Sequence, residues 1–481
     1  VILIGFISAL VVLSSVLAAT HALLSKRDSN SALAWVAFCL FMPLAGPIFY
    51  LVFGINRIQT KAKELYDEES ARISSEIAAT PTETPIPFSI IGKSVSGASA
   101  LPCSSIEILE NGEGLYPKML AAINAAKHRV YLSSYIFQDD TSGQLFLTAL
   151  VDAQNRGVDV RIIIDGLGAI LYPPRIDKKL IRASLNVRLF DPAKLILPSL
   201  HINMRNHRKL LVVDQEIAFT GGQNISDSHL VKLPNNQKKA LDLHFSFTGK
   251  TALELEKTFL KDWESCSVNS NDPLSLSISK TKPTTKAKAI PKHSSHEGSA
   301  AWTRVILDGP NENLDRLNEL LVGVFALARQ RIWIMTPYFL PAYDLVGAMI
   351  GAKHRGVDVK IILPARTNLH ITHWATQHSL QHIQARGLAV FLQPAPFVHT
   401  KAIVIDDSYA LVGSANLDPR SLRLNFELEV EIFSKEFNDE LSHYFKSKLA
   451  KCEKLKPESL QNQPLATRIR NALAWLLTPY L

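Results

Sequence analysis

Apolar residues are distributed along this chain in contrasting patterns. Residues 1–24 are almost wholly apolar, and so are residues 31–54 apart from breaks at Pro43, Gly46 and Pro47. Each run is long enough to cross a bilayer, which takes about 20 residues, so a two-helix transmembrane hairpin is expected. Further on the runs shorten. Residues 106–109, 129–137 and 158–164 read as strands, and residues 115–126 and 142–155 as helices. Strands alternating with helices predict an α/β architecture.

Between these stretches the apolar signal fades. Residues 57–77 are charged and helical in composition, and residues 78–100 are rich in Pro, Thr and Ser, which predicts an extended linker. Residues 267–299 carry Lys280, Lys282, Lys286, Lys288 and Lys292 among Ser, Thr and Pro, the composition of a solvated, flexible linker. Near the end, Ile469, Leu473, Leu476 and Leu477 alternate with Arg468 and Arg470. That tail reads as an amphipathic helix, placed either on a membrane surface or against the body. The expected division is 1–56 (membrane hairpin), 57–103 (juxtamembrane helix and linker), 104–266 (first half), 267–300 (basic linker), 301–455 (second half) and 456–481 (tail).

The two halves repeat each other. Residues 156–165 match residues 355–364, Arg-Gly-Val-Asp-Val followed by a basic residue and an aliphatic run. A longer pattern, H-x-K-x4-D-x6-G-[GS]-x-N, occurs at His207, Lys209, Asp214, Gly221, Gly222 and Asn224, and again at His399, Lys401, Asp406, Gly413, Ser414 and Asn416. Identical spacing in two places makes chance an unsatisfactory explanation. Inside each copy an aliphatic run, 210–213 or 402–405, reads as a buried strand. Residues two apart on a strand share a face, so each His projects with its Lys, and each Asp points the other way. Asp214 and Asp406 therefore read as structural members of the motif. The small residues after the second strand allow an anion close to the backbone, and Asn224 and Asn416 can donate amide hydrogen bonds to phosphate.

Two such copies facing each other would gather two imidazoles, two ammonium groups and two amides. This inventory suits a phosphodiester. The cations and amides stabilise charge on the non-bridging oxygens, one imidazole attacks phosphorus, and the other protonates the leaving alcohol. A nucleophilic imidazole needs an acceptor on its second nitrogen to fix the tautomer, and Asp242 and Glu427 are the candidates. Tyr135 and Tyr338 are candidates for lining the site or for the core. His201, His229 and His244 lie outside the motif and read as packing or surface residues.

Composition adds constraints. The net charge of +8 suits an anionic partner, either nucleic acid or an anionic lipid surface. Cys39, Cys103, Cys266 and Cys452 have no C-x-x-C spacing, which argues against a zinc site or a disulfide framework. The first residue is Val1 rather than Met, and a few residues are expected ahead of it. A signal peptide is the weaker reading of residues 1–24, since a second apolar run follows at once. Arg57, Lys61 and Lys63 after that run favour a cytoplasmic body, although Lys26 and Arg27 in the link weaken the bias.

The paired motif resembles the phospholipase D superfamily. Asn416-Leu417-Asp418-Pro419-Arg420 with Asn425-Phe426-Glu427, Arg205-Asn206-His207-Arg208-Lys209, and the pattern of Trp35, Pro43, Gly46, Pro47 and Tyr50 resemble bacterial cardiolipin synthases over nearly the whole chain. The resemblance implies an α/β fold of two homologous phospholipase D-like sandwich halves with the active site between them, behind a transmembrane hairpin in the bacterial inner membrane. It implies that Asp242 orients His207 and Glu427 orients His399, each within its own half. It implies a phosphohistidine intermediate, with His207 as nucleophile and His399 as acid and then base. Neither metal nor other cofactor is expected, because Lys209 and Lys401 supply the positive charge. The substrate implied is phosphatidylglycerol, which would act as both phosphatidyl donor and acceptor, with anionic membrane lipids around it. Three other readings compete. One is a phospholipase D that hydrolyses lipid or uses an acceptor such as phosphatidylethanolamine. Another is a phosphodiesterase for nucleic acid, disfavoured by the apolar runs and by the lack of aromatics among the linker lysines. The last is a silent scaffold, disfavoured because both motifs are complete.

Overall fold

The four-residue strands Leu210–Val213 and Ala402–Ile405 show how the framework is built. Leu210 and Val212 pack into a core shared by both halves, while Leu211 and Val213 pack into the outer core of the first half. Ala402 and Val404 likewise enter the shared core, and Ile403 and Ile405 the outer core of the second half. Alternation on a strand buried on both faces requires an unbroken aliphatic run, and both stretches supply one. The computed structural model describes residues 2–26, 29–54, 87–191, 204–234, 236, 238–268, 301–311 and 313–478.

These strands belong to a continuous sheet of 15 strands. Outward from the centre, the first half places Leu101–Glu110, Leu243–Gly249, Ile217–Gly221, Leu210–Val213, Arg129–Ser134, Asp159–Asp165 and Asn186–Phe190 side by side. The second half repeats the order with Ala301–Asp308, Glu427–Phe433, Tyr409–Gly413, Ala402–Ile405, Arg331–Met335, Asp358–Pro364 and Ala389–Gln393, then adds Glu453–Lys454 at the edge. The halves join through antiparallel pairing of Leu101 with Thr303, Pro102 with Trp302 and Cys103 with Ala301. Helices Asn111–Ala125 and Thr141–Asn155 cover the outer face of the first half, and Arg316–Leu327 and Tyr343–His354 that of the second. Helices Lys250–Val268 and Lys435–Leu449 fill the shared core. This is the duplicated α/β architecture expected from the repeats.

Asp214 and Asp406 follow their strands in left-handed turns, at φ of 53° and 49°, a region that Asp tolerates better than most residues. The Asp214 carboxylate accepts from the backbone N–H groups of Lys127, His128 and Arg129, each at 2.8 Å. Asp406 accepts from those of Arg329, Gln330 and Arg331 at 2.7–3.1 Å. Both aspartates thus pin the loop that leads into the neighbouring antiparallel strand, away from the histidines at the opposite end of the motif strand.

Two expectations need correction. Residues 78–100 are not all extended: Pro87–Ser96 forms a helix. Phe88 is buried with its ring 5.0 Å from that of Tyr409, and Ser89 accepts from the buried Arg304 through both its carbonyl (2.9 Å) and Oγ (2.8 Å). Arg304 also pairs with buried Glu431 at 2.8 Å, so tertiary contacts override a helix-poor composition. The second apolar run is not one helix either. It breaks into Ser29–Phe41, Ala45–Phe49 and a π-helical turn at Tyr50–Gly54. The Met42-Pro43-Leu44 corner interrupts it, and Gly46 lies so close to the Phe38 carbonyl that no Cβ fits. Only Gly5–Ser25 is long and apolar enough to cross a membrane among the described residues. The expected helix at 57–77, the linker from 269 onward and His201 lie outside the described residues.

If the motif aspartates are structural, Asp406→Ala should destabilise the fold by about 2–4 kcal/mol, since three backbone donors lose a charged acceptor. Chemical denaturation should register that loss, while the fraction still folded keeps most of its turnover.

Candidate active site

The site forms where the two motif strands begin, at the seam between the halves. His207 is held at both ends of its residue. Its backbone N–H donates to the Phe426 carbonyl at 3.0 Å, and its Nδ1 bonds Glu427 Oε2 at 3.0 Å. His399 is held the same way: its N–H donates to the Leu241 carbonyl at 2.7 Å, and its Nδ1 bonds Asp242 Oδ2 at 2.8 Å. Each acid and the carbonyl just before it therefore serve the histidine of the opposite half. This corrects the expected pairing of Asp242 with His207 and Glu427 with His399. The physical reason is the strand order. Phe397–Val398 pairs in parallel with Ala240–Leu241, and Asn206 bridges to Phe426, so each motif is threaded against the other half's acid-bearing segment.

Each acid is placed by its own half. A Cβ on Gly222 would fall 2.4 Å from Asp242 Oδ1, so the glycine there makes room for the carboxylate. At the equivalent place Ser414 Oγ donates to Glu427 Oε2 at 2.5 Å. The space read from sequence as an approach for an anion is, at Gly222, occupied by the orienting acid. Next to His207, Arg205 pairs with Asp191 at 2.9 Å, Arg208 pairs with Asp262, and Arg208 Nε donates to the Glu427 carbonyl at 3.1 Å. These buried ion pairs brace the segment on both sides of the imidazole.

Lys209 and Lys401 each donate to the backbone carbonyl of the preceding motif histidine at 2.6 Å. Lys401 Nζ also lies 2.9 Å from His399 Nε2. Nε2 of His207, by contrast, faces no hydrogen-bond partner among the described residues. Asn224 accepts from the Ile136 N–H through Oδ1 at 3.1 Å, which leaves its NH2 free to donate. Asn416 has its Oδ1 buried without a partner among the described residues. The structure thus brings together His207, Lys209, Asn224, Asp242, His399, Lys401, Asn416 and Glu427, and leaves Asp214 and Asp406 outside.

Burial sets the protonation of this site. It lowers both imidazoles below their ordinary value, despite the opposing pull of Glu427 on His207 and of Asp242 on His399. Burial also lowers Lys209 to about 7 and Lys401 to about 8, against the attraction of Glu427 and Asp242. For the acids, burial acts upward but is outweighed, by His399 and Lys401 at Asp242 and by His207 and Lys209 at Glu427, so both are held below the usual carboxylate range. An ionised acid bonded to Nδ1–H leaves Nε2 of a neutral imidazole as a lone-pair donor, which is the state a nucleophile requires.

Sequence reasoning missed one lining residue and left another undecided. His229 is buried with its ring 6.3 Å from that of His399, and its Nε2 accepts from the Asn224 N–H at 3.2 Å. No motif marks it, and only the turn after Asn224 brings it inward. Tyr135 stands edge-on to His207 at 5.1 Å and lies 5.4 Å from Lys209 Nζ, so it lines the site. His244 is buried beside Gly221, with its Nδ1 3.4 Å from the Gln223 N–H.

The family described as "Cardiolipin synthase, PLD-like domain" matches residues 119–263 and 321–449, one segment in each half. The chain belongs to that family. A second description, "Phospholipase_D-nuclease N-terminal", matches residues 13–54. The chain is 28% identical over 474 residues to the major cardiolipin synthase of Bacillus subtilis (strain 168), covering 95% of each chain. It is 29% identical over 479 residues to cardiolipin synthase A of Pseudomonas aeruginosa (strain LESB58), covering 96% of this chain and 93% of that one. The crystal structure of phosphatidylserine synthase from Haemophilus influenzae Rd KW20 superposes with a TM-score of 0.61 at 18% identity, over 82% of this chain and all of that one, which shows the shared fold.

The crossed contacts make a direct prediction for this family member. Glu427→Gln should change the imidazole nitrogen chemical shifts of His207 and leave those of His399 in place, and Asp242→Asn should do the reverse. Selective nitrogen labelling of histidine reads this out, and the opposite assignment would restore pairing within each half.

Proposed function

We propose that this chain is a cardiolipin synthase, which moves a phosphatidyl group from one phosphatidylglycerol to a hydroxyl of a second and releases glycerol. The observation that carries the reading is the pair of seam histidines, each fixed through Nδ1 by an acid of the other half, in a chain similar to cardiolipin synthases along nearly its whole length.

In this reading His207 is the nucleophile, since its Nε2 is unencumbered among the described residues while His399 Nε2 has Lys401 beside it. The phosphodiester sits with its non-bridging oxygens toward Lys209, Lys401, Asn224 and Asn416. These groups stabilise the charge that develops there. Burial favours neutral His399, and the anionic substrate favours the imidazolium that acid catalysis requires. His207 Nε2 then bonds phosphorus, the phosphorus–glycerol oxygen bond breaks, and His399 gives its proton to the departing glycerol. Glu427 stabilises the cationic phosphohistidine through Nδ1–H. In the second step His399 takes the proton of the acceptor hydroxyl, that oxygen bonds phosphorus, and His207 is released neutral. Both substrates are lipids, which accounts for an apolar helix at Gly5–Ser25. We place the N-terminal hairpin in the bacterial cell membrane and the catalytic body on its cytoplasmic side, the side favoured by Arg57, Lys61 and Lys63.

The decisive experiment supplies vesicle-reconstituted protein with phosphatidylglycerol alone. Cardiolipin with an equal amount of free glycerol is expected, and His207→Ala and His399→Ala should each abolish it. Phosphatidic acid as the product would instead mean hydrolysis. Cardiolipin formed only after phosphatidylethanolamine is added would mean that donor and acceptor differ.

The pH profile provides a separate check. The nucleophile must be neutral, a state present above the lowered value of His207. The lysines must be charged, and they lose their protons as pH rises through about 7 and about 8. The profile of kcat/KM reports groups of the free enzyme. It should bend down through about 7, fall about tenfold per unit from there to about 8, and fall about a hundredfold per unit beyond, where both lysines have lost their protons. A profile still rising at pH 9 would remove both lysines from the charged role.

A further inference from the structure

The C-terminal helix Leu465–Leu476 presents two unlike faces. One face is seated on the body. Asn471 is buried and donates to Gln377 at 3.0 Å and to Gln463 at 3.1 Å, and Ala474 packs against Ala375 and Leu340. Trp475 lies 5.0 Å from the ring of His378. The opposite face is bare. Leu465, Ile469, Leu473 and Leu476 recur at helical spacing and are 70%, 51%, 59% and 65% exposed. A stripe of this kind on a folded body marks a surface that meets something apolar.

The chemistry around the stripe identifies the occupant. Arg468 and Arg470 are exposed beside it, and the helix contains no acid. Arg470 is held with its guanidinium 4.6 Å over the ring of half-buried Trp374. Leucines flanked by arginines and half-buried tryptophans match the boundary between acyl chains and anionic headgroups. A second copy is a poorer fit, because a two-fold contact through this face would bring the same arginines together without acids to meet them.

Packed side chains lead from this helix toward the catalytic seam. The helix rests on His370–Ala385, which on its inner side walls a cavity of about 110 Å³ lined by Leu363, Leu380, Leu392, Leu455, Leu460 and Tyr338. The Tyr338 ring is 6.3 Å from that of Phe397, which lies 5.9 Å from His399. We infer that the bare face of Leu465–Leu476 lies on an anionic bilayer and holds the second half of the catalytic body against the membrane, a second attachment besides the N-terminal helix.

The test uses the full chain in phosphatidylglycerol-containing vesicles, with a nitrobenzoxadiazole probe on Leu473→Cys in a Cys452→Ser background. The control carries the same probe on Leu145→Cys, an exposed position on Thr141–Asn155 in the other half. Emission at position 473 should shift to the blue and be quenched at least twofold more by doxyl-labelled lipid than at position 145. Replacing phosphatidylglycerol with phosphatidylcholine, or raising the salt, should reduce that quenching severalfold. Equal quenching at the two positions overturns the proposal, and quenching indifferent to lipid charge overturns its electrostatic part. A blue shift that grows with protein-to-lipid ratio but resists doxyl quenching would assign the face to a second copy. Ile469→Glu combined with Leu473→Glu should remove the quenching of a probe at Leu465→Cys while leaving the circular dichroism spectrum unchanged. None of these readouts needs turnover, so they stand apart from the assay for cardiolipin.

Discussion

Each seam histidine depends on an acid from across the seam, and the rest of the site depends on that exchange. A half taken alone would hold an imidazole, a lysine and an amide, but its imidazole would lack the carboxylate that selects the tautomer. The backbone reinforces the same exchange, with His207 N–H on the Phe426 carbonyl and His399 N–H on the Leu241 carbonyl. Register between the halves and orientation of the imidazoles are therefore one constraint. The central pairing of Leu101–Cys103 with Ala301–Thr303 sets that register, and the shared core under Lys250–Val268 and Lys435–Leu449 maintains it.

Burial at such a seam has two opposed effects. It strengthens the attraction of a lysine for phosphate by excluding water. It also opposes the charged state on which that attraction relies, which is why Lys209 and Lys401 are lowered toward neutrality. The ionised Asp242 and Glu427 offset part of this, and so would a bound phosphodiester. The acids thus act twice, as orienters of imidazole and as counter-charges for lysine. Removing either would leave a buried cation uncompensated, a loss that in buried pairs amounts to about 3–5 kcal/mol.

Much of the framework was legible because its signals are local. The aliphatic runs at 210–213 and 402–405 are strands, the repeated spacing marked a duplicated fold, and strand parity separated Asp214 and Asp406 from the histidines. What escaped was non-local. The assignment of an acid to a histidine depends on how the halves are threaded, and spacing within one half carries no information about it. Gly222 looked like room for an anion, and only the fold shows that Asp242 fills it. The helix Pro87–Ser96 hid behind a linker-like composition, since its stability comes from Arg304, Glu431 and Tyr409 far along the chain. His229 lacks any motif, and its place beside His399 comes from a turn.

Near-symmetry of the halves leaves the direction of the reaction to small differences. The segment around His207 is locked by Arg205 and Arg208 in buried ion pairs, whereas Val398 and Thr400 flank His399 without charge. Lys401 approaches His399 Nε2, and His229 packs near the same imidazole. A nucleophile benefits from a rigid ring with a bare lone pair, because its attack must follow one line. A proton carrier must instead respond to charge, and at His399 the pull of Asp242 toward imidazolium is set against the opposing push of Lys401 and His229. On the proposed assignment, asymmetry of surroundings, imposed on a symmetric backbone, lets two like histidines take unlike parts.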